Sequence, residues 1–253
     1  MNLTKLFSKS ERELRPKVVR PDDVFIVSYP KSGNTWQRFL VANLVCPGGD
    51  VTYLNINRIV ADIYQVPEEE LAGLPSPRMF KSHEAFTPRF LKVVYVTRDP
   101  RSVAVSMYHF LIATKKLEAN HSIDGFLEGF LRGEYYRNFK SWGANVTSWL
   151  SERDRGNENI LVVRYEDLKA NTTSELRRVA DFLGLNATDA TIQAAVENSS
   201  FQKMQNLEHE RFKETRQYVR KGKVDEWKET FSAEQIEKIH HAFGGPMRQL
   251  KYL

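Results

Sequence analysis

The chain has 253 residues, of which 41% are hydrophobic, so it is long enough for one α/β domain with a sizeable core. Its single cysteine, Cys46, excludes an internal disulfide and a cysteine-rich zinc site. The net charge of +5 favours anionic partners, namely nucleic acid, a membrane surface or a phosphate-rich small molecule.

Residues 1–20 alternate charged and apolar side chains and lack the continuous apolar stretch of a secretory signal. We therefore interpret them as a flexible N-terminal extension of a cytoplasmic protein. No later stretch approaches the ~20 consecutive apolar residues that span a bilayer, so no membrane insertion is expected. The basic residues recur singly beside glycine, serine and turns, which favours a discrete anion pocket.

Three short apolar runs are each followed by a helical pattern. Residues 24–29 precede a helix over 35–45, residues 92–97 a helix over 101–113, and residues 160–164 a helix over 172–183. Near-continuous apolar strands that alternate with helices predict a parallel sheet buried on both faces. A further strand is predicted at 78–82, loops at 45–77 and 85–88, and covering helices at 122–131, 139–152, 189–198 and 233–243.

These elements predict a single domain over residues 1–253, of the α/β class, with a central parallel sheet flanked by helices. In open sheets of this class, ligands bind outside the carboxyl ends of the strands. Each motif that could bind a ligand or take part in catalysis begins at the carboxyl end of a predicted strand.

A glycine-containing turn, Tyr29-Pro30-Lys31-Ser32-Gly33-Asn34-Thr35-Trp36, joins the first strand to the first helix. Backbone N–H groups at the helix N-terminus and the positive end of its dipole favour an anion there. Side chains that add donors are Lys31, Ser32, Asn34 and Thr35. A Walker loop requires G-x-x-x-x-G-K-[ST], whereas Lys31 precedes a lone glycine by two positions. The turn predicts a phosphate-binding loop; the alternative is an ordinary strand-to-helix turn with a surface lysine.

A second strand-to-helix junction places Arg98 at the end of a strand and Ser106 on the helix that follows. A guanidinium and a hydroxyl in these positions can converge on one anion. The alternative is that Arg98 and Asp99 form a local ion pair that caps the helix.

A third segment, Tyr218-Val219-Arg220-Lys221-Gly222-Lys223, continues to Trp227 and Lys228 and is too rich in cations for a core strand. Taken alone, it predicts a solvated basic loop or a nucleic-acid patch.

Three shorter patterns carry little information by themselves. Tyr165 follows a strand and Phe201 precedes a helix beside Ser199, and such residues are more often core than ligand contacts. His83 follows Lys81 and Ser82 at the end of the strand 78–82 and is one of six histidines. A neutral imidazole in this position can accept a proton at physiological pH.

Together these motifs resemble the sulfotransferase family. The first turn resembles its 5′-phosphosulfate loop, Y-P-K-S-G-x-T-W, and the spacing from Arg98 to Ser106 resembles its 3′-phosphate motif. Residues 220–228 resemble its R-K-G-x-x-G-D-W-K segment, although Asp225 and Glu226 replace the second glycine and the aspartate. The resemblance spans residues 24–231 and implies a soluble, cytosolic-type enzyme with a P-loop-like sulfotransferase fold.

The resemblance implies 3′-phosphoadenosine 5′-phosphosulfate as co-substrate. Lys31 would contact the bridging oxygen, and Trp36 would pack against the adenine. The residues implied to bind the nucleotide are Lys31, Ser32, Gly33, Asn34, Thr35, Trp36, Arg98, Ser106, Tyr165, Ser199, Phe201, Arg220, Lys221 and Gly222. His83 is implied as the general base, with Glu84 as an alternative carboxylate base. The catalytic candidates are His83, Lys31, Lys81 and Ser106.

Sulfuryl transfer resembles phosphoryl transfer, in which positioning and stabilisation of the leaving phosphate carry the catalysis. We predict no metal, because a lysine can neutralise that charge. The expected partner is a small-molecule acceptor with a hydroxyl or amine, not nucleic acid. The family's dimer motif is matched only in part, at Lys228 and Glu237, so a monomer or a homodimer is expected. The rival interpretations are a P-loop kinase or NTPase and a nucleotide-binding or RNA-binding module.

Overall fold

The computed structural model describes residues 13–212, 222 and 224–253 of the chain. Five strands within these residues form one sheet: β1 (Val24–Ser28), β2 (Val60–Asp62), β3 (Met79–Ser82), β4 (Lys92–Thr97) and β5 (Ile160–Arg164). Their order across the sheet is β2-β3-β1-β4-β5, and every pairing is parallel. The predicted α/β class with a central parallel sheet is confirmed.

The helices of the described residues cover both faces of the sheet. They are α1 (Asn34–Val45), α2 (Glu68–Gly73), α3 (Pro100–Ala113), α4 (Ile123–Arg132), α5 (Trp142–Asp154), α6 (Tyr165–Ala170), α7 (Thr172–Leu183), α8 (Asp189–Asn198), α9 (Phe201–Phe212), α10 (Trp227–Thr230) and α11 (Ala233–Gln249). Several begin where a side-chain oxygen accepts from a backbone N–H of the first turn, as at Ser122, Asn171 and Ser232. These caps fix where each helix starts.

The central strand β1 explains the two-sided core. Phe25 and Val27 point into a cluster with α3, α4, α5 and α11, whereas Val24 and Ile26 point into a cluster with α1, α7 and α8. Because side chains alternate along a strand, a strand that is apolar at every position is buried on both faces. All five residues of β1 are buried.

The sequence prediction was wrong over residues 45–77, which we expected to form a loop. This region contains β2, which pairs with β3, and the short helix α2. A strand of three residues gives too short a pattern to recognise beside prolines. Helix α5 also begins three residues later than predicted, and α11 continues to Gln249 with Pro246 inside it.

Part of the N-terminal extension packs against the domain. The guanidinium of Arg15 donates to the carbonyl oxygens of Ile63 and Val66 at 2.7 and 2.6 Å, and the backbone N–H of Lys17 donates to Glu68 at 2.7 Å. Residues 13–20 therefore hold the segment between β2 and α2 in place. The extent of the domain over residues 1–253 stays a prediction.

Candidate active site

The carboxyl ends of the parallel strands meet at one edge of the sheet, and the predicted site residues lie there. β1 leads into residues 29–33, β3 into His83, β4 into Arg98 and β5 into Tyr165. The sheet thus brings together motifs that are far apart in the sequence.

The first loop has the backbone geometry of an anion site. Lys31 and Gly33 adopt positive φ angles of 70° and 96°. A Cβ atom on Gly33 would lie 2.5 Å from Cδ2 of Tyr165, so the position requires glycine for its dihedral angle and for its size. The turn leads into α1, whose first N–H groups have no acceptor within the helix.

The side chains of this loop divide between the interior and the site. Asn34 Nδ2 donates to the carbonyl of Ile26 at 3.2 Å and to Ser28 Oγ at 3.1 Å, so its amide nitrogen is engaged inside the fold. The backbone N–H of Asn34 is therefore the donor that remains available to an anion. Ser32 is buried and Thr35 is half-buried. Lys31 Nζ lies 4.1 Å from the centre of the Phe110 ring.

Arg98 joins the second motif to the first. Its Nη1 donates to the carbonyl of Lys31 at 3.5 Å, and its guanidinium carbon lies 4.4 Å from the centre of the Tyr165 ring. Ser106 lies half-buried two turns along α3, the helix that follows Arg98. The structure therefore brings Lys31, Arg98 and Tyr165 into one cluster.

The alternative ion pair between Arg98 and Asp99 is replaced by another pairing. The Asp99 carboxylate caps α3 by accepting from the backbone N–H of Arg101 at 2.8 Å, and it pairs with the Arg101 guanidinium at 2.6 Å. Asp99 thus neutralises Arg101.

A group of aromatic side chains lies beside this cluster. Trp36 Nε1 donates to the carbonyl of Ser199 at 2.9 Å, and its ring meets Tyr165 edge to face, with 5.7 Å between centres. The Ser199 hydroxyl is buried and accepts from an asparagine amide of α1. A Cβ on Gly222 would lie 2.8 Å from Cε2 of Phe201, so the glycine lies directly against that ring. Arg220 and Lys221 lie outside the described residues.

His83 lies at the end of β3 in a defined orientation. Its Nδ1 is 2.7 Å from the carbonyl oxygen of Ser28. A carbonyl oxygen only accepts, so Nδ1 carries the proton and Nε2 holds the lone pair. Burial and the charges of Lys81 and Lys31 lower the pKa of His83 to about 3. The imidazole is therefore neutral at physiological pH.

Lys81 is held by a carboxylate that the sequence analysis did not identify. Its Nζ lies 3.0 Å from Oδ2 of Asp62, at the end of β2. Burial opposes ionisation of Asp62, but the charges of Lys81 and Arg38 outweigh it and lower the pKa of this carboxyl. Arg38 donates to the carbonyl of Val60 at 2.7 Å. The charge of Lys81 is thus fixed beside His83.

Tyr64, also missed in the sequence, supports His83 from the other side. Its hydroxyl accepts from the backbone N–H of His83 at 2.7 Å and donates to the Glu84 carboxylate at 3.2 Å. Its ring lies nearly parallel to the imidazole, with 5.9 Å between centres. The largely apolar run at residues 59–64 was the one signal that could have predicted β2, which ends at Asp62, two residues before Tyr64.

The described residues contain neither a metal-binding cluster nor a membrane-spanning helix. No group of three or more His, Cys, Asp or Glu side chains there is placed to hold a metal ion. No helix among those residues is both long and apolar enough to cross a bilayer.

Comparison with known proteins identifies the family. A family model described as a sulfotransferase domain matches residues 21–251. The chain belongs to the sulfotransferase family. The amine sulfotransferase of Oryctolagus cuniculus is 27% identical to this sulfotransferase over 93% of this chain and 84% of its own.

Two solved structures match this sulfotransferase closely in fold. Mouse sulfotransferase SULT7A1 complexed with PAP matches with a TM-score of 0.75 and 27% identity, over 90% of this chain and 85% of that chain. Retinol dehydratase in complex with androsterone and PAP matches with a TM-score of 0.76 and 26% identity, over 91% of this chain and 82% of that chain. The predicted sulfotransferase fold is confirmed.

Proposed function

We propose that this sulfotransferase uses 3′-phosphoadenosine 5′-phosphosulfate as its donor, His83 as its general base, and a small molecule with a hydroxyl or amine as its acceptor. The observation that carries the proposal is the meeting of Lys31, Arg98 and His83 at one sheet edge, each after a different strand. The relatives complexed with PAP support the choice of donor. We propose a cytoplasmic location for the enzyme.

The cluster has the donor groups that such a nucleotide needs. The N-terminus of α1 and the Lys31 ammonium offer positive charge to the 5′-phosphosulfate. Arg98 and Ser106 would bind the 3′-phosphate, and Trp36 with Phe201 would flank the adenine. Bidentate binding of phosphate is the chemistry that a guanidinium favours. When bound, the donor supplies a sulfuryl group on a phosphate leaving group.

In the transfer step, Nε2 of His83 takes the proton of the acceptor hydroxyl or amine. The acceptor atom forms its bond to sulfur as the bond from sulfur to the bridging phosphate oxygen breaks. Lys31 stabilises the negative charge that develops on that oxygen, and Lys81 holds the oxygens of the transferred group. This charge compensation by lysine needs no metal, and we propose that none takes part.

The low pKa of His83 belongs to the protein without its donor. Lys81 and Lys31 lower this pKa through their positive charges. Negative charge brought by the nucleotide would oppose that effect and raise the pKa, which makes the imidazole a stronger base in the complex. His83 would then gain basicity when the donor is in place.

The acceptor pocket would lie beside His83, where aromatic rings gather. Phe139 lies 5.5 Å from the imidazole, centre to centre, and Tyr136 lies 6.2 Å from Phe139. Phe139 is buried and would back the pocket, whereas the half-buried Tyr136 would line it. Such rings suit an apolar acceptor, such as a phenol, an alcohol or a steroid. Phe80 is fully buried within the sheet and belongs to the core. We propose a monomer or a homodimer, without nucleic acid as a partner.

The rival kinase or NTPase would bind a nucleotide without a 3′-phosphate and would need magnesium. Isothermal titration with PAP and with AMP, in the absence of magnesium, separates the two proposals. We expect PAP to bind more tightly than AMP and the difference to be lost in Arg98→Ala. Arg132→Ala, at an exposed arginine on α4, serves as the matched control. Equal binding of PAP and AMP by the wild type would refute the proposed donor.

Catalysis is tested with labelled donor and a panel of phenols, alcohols, steroids and amines. Loss of a general base lowers the rate by about 10²–10⁴-fold, which is the loss expected for His83→Ala with the affinity for PAP unchanged. An active His83→Ala enzyme would refute the role of this residue. Glu84→Gln tests the alternative base in the same assay.

A further inference from the structure

The penultimate residue of the chain, Tyr252, packs beneath the Arg98 junction. Its side chain is only 8% exposed. Its backbone N–H donates to Met247 at 2.8 Å, and its carbonyl oxygen accepts from Arg101 Nη2 at 2.8 Å. The backbone of Tyr252 is thus held at two positions, and the ring of this residue is fixed in the core.

The hydroxyl of Tyr252 reaches a half-buried carboxylate. It donates to Oε2 of Glu166 at 3.0 Å, and Oε1 of the same carboxylate accepts from the backbone N–H of Asp99 at 3.0 Å. Burial raises the pKa of Glu166. One carboxylate therefore joins the C-terminal tyrosine to the peptide group directly after Arg98.

Glu166 also stands next to Tyr165, which is the ring that Arg98 covers at 4.4 Å. Glu166 thus holds the peptide group that follows Arg98, and the ring of Tyr165, which precedes Glu166 in α6, packs against the Arg98 guanidinium. A second link runs from the Tyr252 carbonyl through Arg101 to the Asp99 carboxylate at 2.6 Å. Both links end on Asp99, the residue that follows Arg98: the first at its backbone N–H and the second at its carboxylate.

We propose that Tyr252 and Glu166 are positioning residues for recognition of the donor's 3′-phosphate, and that they act by holding the Arg98 junction in its binding orientation. This inference rests on the proposed function, in which Arg98 binds that phosphate. Neither residue touches the nucleotide; each acts through Asp99 and Tyr165. The 5′-phosphosulfate loop follows β1, and Arg98 reaches it only at the carbonyl of Lys31, so we expect the larger effect on the 3′ side of the ligand.

The test measures the affinities of the full-length variants for PAP and AMP by calorimetry without magnesium. Tyr252→Phe keeps the ring and removes the hydroxyl. Glu166→Gln keeps the shape of the side chain but leaves one oxygen for two donors. Tyr95→Phe is the matched control, because it also removes one buried hydroxyl bond, of 2.9 Å to Asn145, on the core side of β4.

We expect Tyr252→Phe to weaken PAP about tenfold and AMP less than about twofold, in line with the loss of one hydrogen bond to a charged group. Glu166→Gln is expected to shift the ratio of the two affinities in the same direction, and Tyr95→Phe to leave it unchanged. Equal weakening of both ligands, or an unchanged ratio in both variants, overturns the inference. A wild-type protein that does not distinguish PAP from AMP overturns the proposed donor itself, before the variants are considered.

Discussion

The neutral state of His83 has a measurable effect on stability. The charged groups that act on it are Lys81, Lys31 and Asp62, and the effect of burial and the two ammonium groups exceeds that of the carboxylate. The pKa of the folded state is about 3, against an ordinary value of 6.5. Between these two pH values the unfolded chain binds a proton that the folded chain does not.

The sign of the effect follows from this difference in bound protons. The free energy of unfolding rises with pH wherever the unfolded state binds more protons. His83 therefore has no destabilising effect above pH 6.5 and lowers stability progressively as the pH falls from 6.5 toward 3. From pH 7 to pH 5, one such proton costs about 2 kcal/mol of stability.

The variant His83→Asn tests this effect, because it removes the titrating imidazole while its amide can still donate to the carbonyl of Ser28. Urea unfolding at pH 7 and pH 5 gives the loss of stability for the wild type and for the variant. We expect the wild type to lose about 2 kcal/mol more than the variant over this interval. His241→Asn, at an exposed histidine of α11, controls for removal of an imidazole.

Equal losses in the wild type and in His83→Asn would show that His83 protonates normally in the folded protein. In that case burial and the two ammonium groups would not lower the pKa of His83 in the folded protein. Repeating the comparison with saturating PAP adds a further check. The nucleotide's negative charge should raise the folded-state pKa and reduce the difference between the two proteins.

Two further substitutions test the geometry of the site. Gly33→Ala should destabilise the protein by about 2 kcal/mol or more and weaken the binding of PAP, because φ is 96° and the added Cβ would meet Tyr165. Urea unfolding measures the first effect and calorimetry the second. A variant with unchanged stability and affinity would contradict the steric argument. Asp62→Asn should cost about 3 kcal/mol in urea unfolding, since it removes the buried carboxylate that pairs with the half-buried ammonium of Lys81. A loss below about 1 kcal/mol would show that the pair contributes little.

The fold was largely predictable because its signals are local. The runs that became β1 and β4 are apolar at nearly every position, as strands buried on both faces must be. The run that became the edge strand β5 is also apolar up to Arg164, although only Ile160 and Val163 are buried there. The helix starts follow from capping residues such as Ser122 and Asn171. β2 escaped prediction because three residues carry too little periodicity, and its place at the sheet edge depends on pairing with β3.

The site was predictable where a motif is continuous in sequence, as in the first loop. What supports those motifs could not be predicted, because the supporting residues come from distant parts of the chain. Asp62, the last residue of β2, reaches Lys81, and Tyr64, two residues beyond the end of that strand, reaches His83. The inward turn of the Asn34 amide depends on the carbonyl of Ile26 and the hydroxyl of Ser28, which only the packed sheet brings within reach.

The central place of β1 also bears on how the chain folds. Ser28 and His83 are 55 residues apart in sequence, Lys31 and Arg98 are 67 apart, and Trp36 and Ser199 are 163 apart. Loops of this length must close before any of these contacts forms, which slows folding of such topologies. The ability to bind the nucleotide should consequently arise late in refolding, together with the last long-range contacts.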